Sequence, residues 1–270
     1  MHRMTSVIAG LLLSTAAAAE HEPDLADPRE PVPFLLPEAA RPRTSRILPP
    51  APATGSPRDQ ADRQVFRATR ALQGTPRWRL AIRDVPMGVP QMLQTFSCAA
   101  GVNLTEVKTP MLAGLLTRVS ADAERAIEPA KAANRRQRPL LADAGATCQP
   151  REELLHSYDY PSGHATWGWT IGMILAELVP GRSTELLTRA RVYAESRVVC
   201  GAHNASAIDA GAINAGALVA ALHASPDFRA AMEAARHEIA AARDAGKAAP
   251  DSATCAAEAA AIETPYGQAL

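Results

Sequence analysis

The chain has few aromatic residues: three Trp, four Tyr and four Phe make up 4% of its 270 positions. Its core must therefore be built from Ala, Leu, Val and Ile, and such an Ala-rich, aromatic-poor composition favours helices over sheets. Runs of Val, Ile and aromatic residues with period-two alternation are missing, and so is any 20–50-residue repeat. Net charge is absent as well: 28 Lys and Arg stand against 28 Asp and Glu. A nucleic-acid binder needs a basic surplus to displace counterions, so this balance argues against that class. Beyond the first residues no stretch approaches twenty uninterrupted apolar positions, and stable membrane insertion is not expected. With 47% hydrophobic and 21% charged residues, the chain is neither a disordered nor a collagen-like protein, and it is no disulfide-dense miniprotein.

What is present begins with an address. Arg3 gives a short positive start, Val7 to Leu13 an apolar run, and Ala16 to Ala19 the small residues that a signal peptidase prefers. Residues 1–19 are therefore predicted to be a signal peptide cleaved after Ala19. Loss of Arg3 leaves 27 positive against 28 negative side chains, a net charge of −1. Export makes the four cysteines, Cys98, Cys148, Cys200 and Cys255, candidates for two disulfides, with three pairings open.

Residues 20–57 hold ten of the 22 prolines. Such a run lacks backbone donors and favours extended conformations, so it reads as an arm, whose apolar Phe34-Leu35-Leu36 can dock on the core or on a second subunit. From there to about residue 246 the pattern is helical. Thr109-Pro110 is a start signal for a helix carrying Leu112, Leu115, Leu116 and Val119, which runs to Ile127 before Pro129 breaks or kinks it and opens a further helical stretch carrying Lys131. Ser162 caps a helix from Gly163 to Leu178, and Ser183 to Ala194 and Asn204 to Ala224 follow as further helical stretches. Ser225-Pro226-Asp227 then opens a last long helix ending near Gly246. The expected architecture is one all-α domain over 58–246, with a loose tail over 247–270.

Three short stretches hold most of the chemistry. In Lys131-Ala-Ala-Asn-Arg-Arg-Gln-Arg138-Pro139, a helix would place Lys131 and Arg138 two turns apart on one face. Two such cations suit an anion with several oxygens. In Tyr160-Pro161-Ser162-Gly163-His164, a helix start offers backbone N–H groups for an anion, and His164 follows as a candidate general acid. In Ser196-Arg197-Val-Val-Cys-Gly-Ala-His203, an Arg that can hold an anion precedes a His that can attack it.

In this order the three stretches resemble the signature of the type 2 phosphatidic acid phosphatase and vanadium haloperoxidase superfamily: Lys-x6-Arg-Pro, Pro-Ser-Gly-His and Ser-Arg-x5-His-x3-Asp. Within it the chain looks most like the soluble, exported class A acid phosphatases of bacteria. Leu48-Pro49-Pro50, Arg77-Trp78 and Phe96-Ser97-Cys98-Ala99 share that likeness. The resemblance implies an all-α bundle and a periplasmic or secreted hydrolase of small phosphomonoesters, releasing inorganic phosphate and needing no metal or other cofactor. It implies that Lys131, Arg138, Ser162, Gly163 and Arg197 bind phosphate, that His203 is the nucleophile forming a phosphohistidine, and that His164 protonates the leaving alcohol. It leaves a homo-oligomer open. One position departs from the signature. The Asp four residues after the nucleophile is Ala207, which cannot fix the ring's tautomer, and Asp209 falls on another helix face. Reduced activity is the expectation, with an inactive phosphate-binding homologue or a vanadate-dependent haloperoxidase as the other readings.

Overall fold

The computed structural model describes residues 34–244 and 249–263, which lie in eleven α-helices and short 3-10 turns; no strand occurs among them. The signal-peptide stretch lies outside the described residues. The helices are α1 (Thr44–Ile47), α2 (Pro57–Thr69), α3 (Pro76–Arg83), α4 (Val89–Ala100), α5 (Pro110–Asn134) and α6 (Arg151–Leu155). They continue with α7 (Gly163–Leu178), α8 (Ser183–Val199), α9 (Ala205–Leu222), α10 (Pro226–Asp244) and α11 (Ser252–Ile262). The all-α class read from composition is the class observed.

Several starts follow local chemistry. Ser56, Thr75 and Ser162 each sit before a helix and accept a backbone N–H three residues on, and Ser225 does the same for Phe228. Thr109 differs. Its hydroxyl turns back to Thr105, and the first free N–H groups of α5, on Met111 and Leu112, are accepted instead by the Glu238 carboxylate of α10.

Two expectations are overturned here. The helix carrying Leu112 does not end near Ile127: α5 runs unbroken to Asn134 with Pro129 inside it. An internal Pro costs about 3 kcal/mol. Pro129 is exposed, whereas Ala126, Ile127, Ala130 and Lys131 around it are buried, so packing on both sides carries the helix through. Nor is the C-terminal stretch loose. Residues 252–262 form α11, Cys255 is bonded to Cys98 of α4, and Glu258 pairs with the buried Arg189 of α8 at 3.2 Å. The described part of the proline-rich stretch likewise holds α1 and folds onto the domain. Leu35 and Leu36 are buried in the main core, and their N–H groups bond to the buried Asp122 of α5.

At the centre α7 packs against α8 and α9. Helix α9 is long and apolar enough to cross a membrane by length and composition, yet 56% of it is buried inside the fold. Close approach is permitted by glycine: a Cβ on Gly168 would come within 2.3 Å of the Tyr193 ring, and one on Gly211 within 2.7 Å of Ala165 Cβ and 2.9 Å of the Ser162 carbonyl. Gly168→Ala therefore sets a helix-propensity gain of about 1 kcal/mol against an overpacking cost of about 1–3 kcal/mol. The ring it would strike is fully buried, so the cost wins. Thermal unfolding of Gly168→Ala should show a Tm lowered by roughly 2–8 °C; an unchanged or raised Tm would contradict the close packing.

Candidate active site

A cavity of about 390 Å³ opens between α5, the α7 start and the turn after α8, and is lined by Lys131, Arg138, Gly163, His164 and His203 among others. Each cation arrives by a different route. Lys131 lies in the last turn of α5, where Nζ donates to Ser157 Oγ at 2.6 Å and to the Tyr158 carbonyl at 3.0 Å. Arg138 is not on that helix. The chain leaves α5 through Arg135 with φ of 47°, and Arg138 is extended backbone before a 3-10 turn. The expected shared helix face does not form, because the helix ends before it reaches Arg138. Loop geometry brings the two cations together instead. Arg138 Nε donates to the Ser157 carbonyl and Nη1 to the Ala202 carbonyl, both at 2.8 Å.

Arg197, in the last turn of α8, is buried. Its Nη2 donates to Gln149 Oε1 at 2.7 Å, while its Nε and Nη1 are buried without a protein acceptor. Such donors are costly to bury unless an acceptor meets them. The Cys148–Cys200 disulfide joins the segment carrying Gln149 to the turn between Arg197 and His203. Ser162 is fully buried and caps α7, its Oγ accepting the Ala165 N–H at 3.2 Å; the helix start at Gly163 lines the cavity. Trp167 lines it too, with Nε1 bonded to the Met87 carbonyl.

Both histidines are tightly held. His164 Nε2 lies 2.8 Å from the Val85 carbonyl, an acceptor, so this nitrogen carries a proton. His203 precedes α9 and is 1% exposed. Its Nδ1 lies 3.0 Å from Asp159 Oδ1 and its Nε2 3.0 Å from Arg138 Nη1. Burial, and then Arg138, Lys131 and Arg197, hold the His203 pKa well below the ordinary 6.5; burial and Arg197 do the same to His164. Burial and the neighbouring Arg138 also lower Lys131 from 10.5 to about 8, and burial lowers Arg197 to about 10. These mutual influences place the three cations and both rings within one electrostatic neighbourhood.

Asp159 escaped sequence reasoning. It comes from the loop before Tyr160, 44 residues from His203, and is fully buried. Its pKa is raised, because burial outweighs the hydrogen bonds from Asn204 and the charges of Arg136 and Arg138. Gln149 and Arg136 were missed as partners as well. Arg136 pairs with Asp59 and Asp62, at 2.9 and 2.8 Å, and its Nη1 stands 3.5 Å from Asp159 Oδ2. Asp209 pairs with Arg58 on the surface. Ala207 is buried among Leu48, Ala130, Tyr160 and Ala210.

Residues 111–230 match the family model of the PAP2 superfamily. An acid phosphatase of Zymomonas mobilis is 40% identical over 213 residues, covering 78% of this chain and 80% of that protein. The chain belongs to the PAP2 superfamily. Non-specific acid phosphatases of Providencia stuartii and Salmonella typhimurium are each 32% identical to it. They cover 86% and 77% of this chain and 95% and 84% of their own. The resemblance carried by the three stretches is thus matched over most of the molecule.

Lys131 supplies a measurable consequence. As pH rises through about 8 its ammonium proton is lost. Affinity for inorganic phosphate, measured by titration calorimetry, should fall roughly tenfold between pH 7 and 9. Lys131→Arg should flatten that fall, whereas an identical fall in the variant would remove Lys131 from the anion site.

Proposed function

We propose that this PAP2-superfamily acid phosphatase is exported and hydrolyses small phosphate monoesters through a phosphohistidine at His203. The observation that carries the reading is the state of His203. Its Nδ1 faces a carboxylate and its Nε2 a guanidinium, so the lone pair sits on Nε2, on the side of the cavity that Lys131 and Arg138 line. Lys131, Arg138 and Arg197 hold the phosphoryl oxygens, and Ser162 with the N–H groups at the start of α7 adds donors. The unpaired N–H groups of Arg197 suit that task.

In the first step the Nε2 lone pair forms an N–P bond while the ester P–O bond breaks. The electron pair goes to the leaving oxygen, which takes a proton from His164. Water then attacks phosphorus and returns a proton to His164; the N–P bond breaks, its pair goes back to Nε2, and inorganic phosphate leaves. Because Nε2 of His164 is committed to the Val85 carbonyl, the proton delivered is the one on Nδ1 of the imidazolium. The lowered His203 pKa keeps the nucleophile neutral in acid. His164 must be charged to act, and a bound phosphate dianion opposes the depression of its pKa. The first permits activity in acid, and the second favours it.

The loss of activity expected from Ala207 does not follow from this arrangement, since His203 has a carboxylate partner in Asp159. Two disulfides, Cys98–Cys255 and Cys148–Cys200, support a site of action outside the cytoplasm.

Purified protein should turn over p-nitrophenyl phosphate at acidic pH, and His203→Ala should abolish this; no turnover above that variant would overturn the reading. His164→Ala should slow an alkyl phosphate by about 10²–10⁴-fold and p-nitrophenyl phosphate far less, because nitrophenolate leaves without a proton.

A further inference from the structure

We infer that Asp159 is the positioning residue of His203, a carboxylate supplied from the loop before α7 in place of one at Ala207. The inference rests on the nucleophilic role proposed for His203 and names the group that makes the role possible.

Position 207 cannot provide that group. His203 precedes α9, so the geometry of residues four apart on one helix does not apply between His203 and position 207. The Ala207 side chain is fully buried in an apolar cluster, and its carbonyl is occupied by the Ser162 N–H at 2.9 Å. Asp159 reaches the ring from elsewhere in the chain. Its Oδ1 lies 3.0 Å from His203 Nδ1 and accepts from the Asn204 backbone N–H at 3.1 Å, and its Oδ2 accepts from Asn204 Nδ2 at 2.8 Å. Arg136 Nη1 stands 3.5 Å from Oδ2. The Asp159 N–H donates to the Arg136 carbonyl at 2.9 Å, so backbone and side chain hold the same loop. Arg136 in turn is anchored by Asp59, Asp62 and Ser206. The other groups within reach of this carboxylate, the Asn204 N–H, Asn204 Nδ2 and Arg136, are all donors, which favours the anion against the pull of burial and leaves it acceptor-only toward Nδ1.

The consequence is a fixed tautomer. An anionic carboxylate requires the proton on Nδ1, and the lone pair is then on Nε2, where phosphorus arrives. When Nε2 bonds phosphorus the ring becomes cationic, and Asp159 lies against that charge. Asparagine cannot replace it. One face of the carboxylate meets His203 Nδ1 and the Asn204 N–H, the other meets Asn204 Nδ2 and Arg136, so an amide NH₂ confronts donors in either orientation.

A purely structural Asp159, tying the loop to the start of α9, would change stability and leave the ring's protonation alone. The test separates the two roles. For Asp159→Asn, kcat on p-nitrophenyl phosphate should fall about 10²–10⁴-fold, by analogy with the loss of an orienting Asp from a Ser-His-Asp triad. KM should stay within about threefold, because the phosphate-binding cations are untouched. A kcat within about threefold of wild type would overturn the inference. A variant that fails to fold does not remove the test, since the wild type can be read directly. In ¹⁵N-histidine NMR of the intact protein between pH 5 and 8, His203 should carry its proton on Nδ1 with Nε2 unprotonated. The opposite tautomer, or an imidazolium, would overturn it. If instead the wild type shows no turnover above His203→Ala, the phosphatase reading falls, and the NMR result still decides whether Asp159 sets the tautomer.

Discussion

His203 is held between a carboxylate that only accepts and a guanidinium that only donates, and the chemistry of the site depends on that opposition. Either neighbour alone would bias the ring. Together, Asp159 at Nδ1 and Arg138 at Nε2 leave one neutral tautomer compatible with both. Arg138 keeps its place through the carbonyls of Ser157 and Ala202, and Asp159 through Asn204 and Arg136. The disulfide between Cys148 and Cys200 ties the chain between Arg197 and His203 to the segment that carries Gln149.

Around this ring the fold gathers Lys131, Arg138 and Arg197, all buried or nearly so. Burying cations is unfavourable, and it shows in the lowered pKa values of Lys131 and Arg197. An arriving phosphate reverses much of that cost, because it meets donors that are already oriented and shielded from water. The same burial explains why both histidines resist protonation. It keeps His203 neutral in acid, and it means that an anion bound beside His164 would ease the charging of that ring.

Much of this was legible in the sequence, and the reasons are local. Helix starts at Ser162, Pro226 and Pro110 are written in a few adjacent residues. The order of Lys131, Arg138, Ser162, Gly163, His164, Arg197 and His203 is specific enough to place the superfamily. What failed was non-local. Pro129 signals a break in any window that ignores packing, yet its buried neighbours carry α5 through. Spacing alone puts Arg138 on one helix face with Lys131, because it does not reveal where a helix stops. The cap of α5 comes from Glu238, more than a hundred residues away. Asp159 is the sharpest case. Ala207 was visible as a departure, but no spacing rule links a loop residue to a ring 44 positions on. The one available signal was a carboxylate placed immediately before the Tyr-Pro of a segment that must be buried.

The central claim is that His203 Nε2 is the atom that takes the phosphoryl group, and a trapped intermediate tests it most directly. The wild-type enzyme, mixed with a fast-leaving phosphomonoester and quenched within milliseconds into alkali, where phosphohistidine survives, can be digested and sequenced by mass spectrometry. NMR of the modified peptide then distinguishes the two ring nitrogens. Phosphate should appear on His203, at Nε2, in the first turnover and disappear as substrate is exhausted. Phosphate on Nδ1, on His164 or on a hydroxyl, or turnover without any phosphoenzyme, would contradict it.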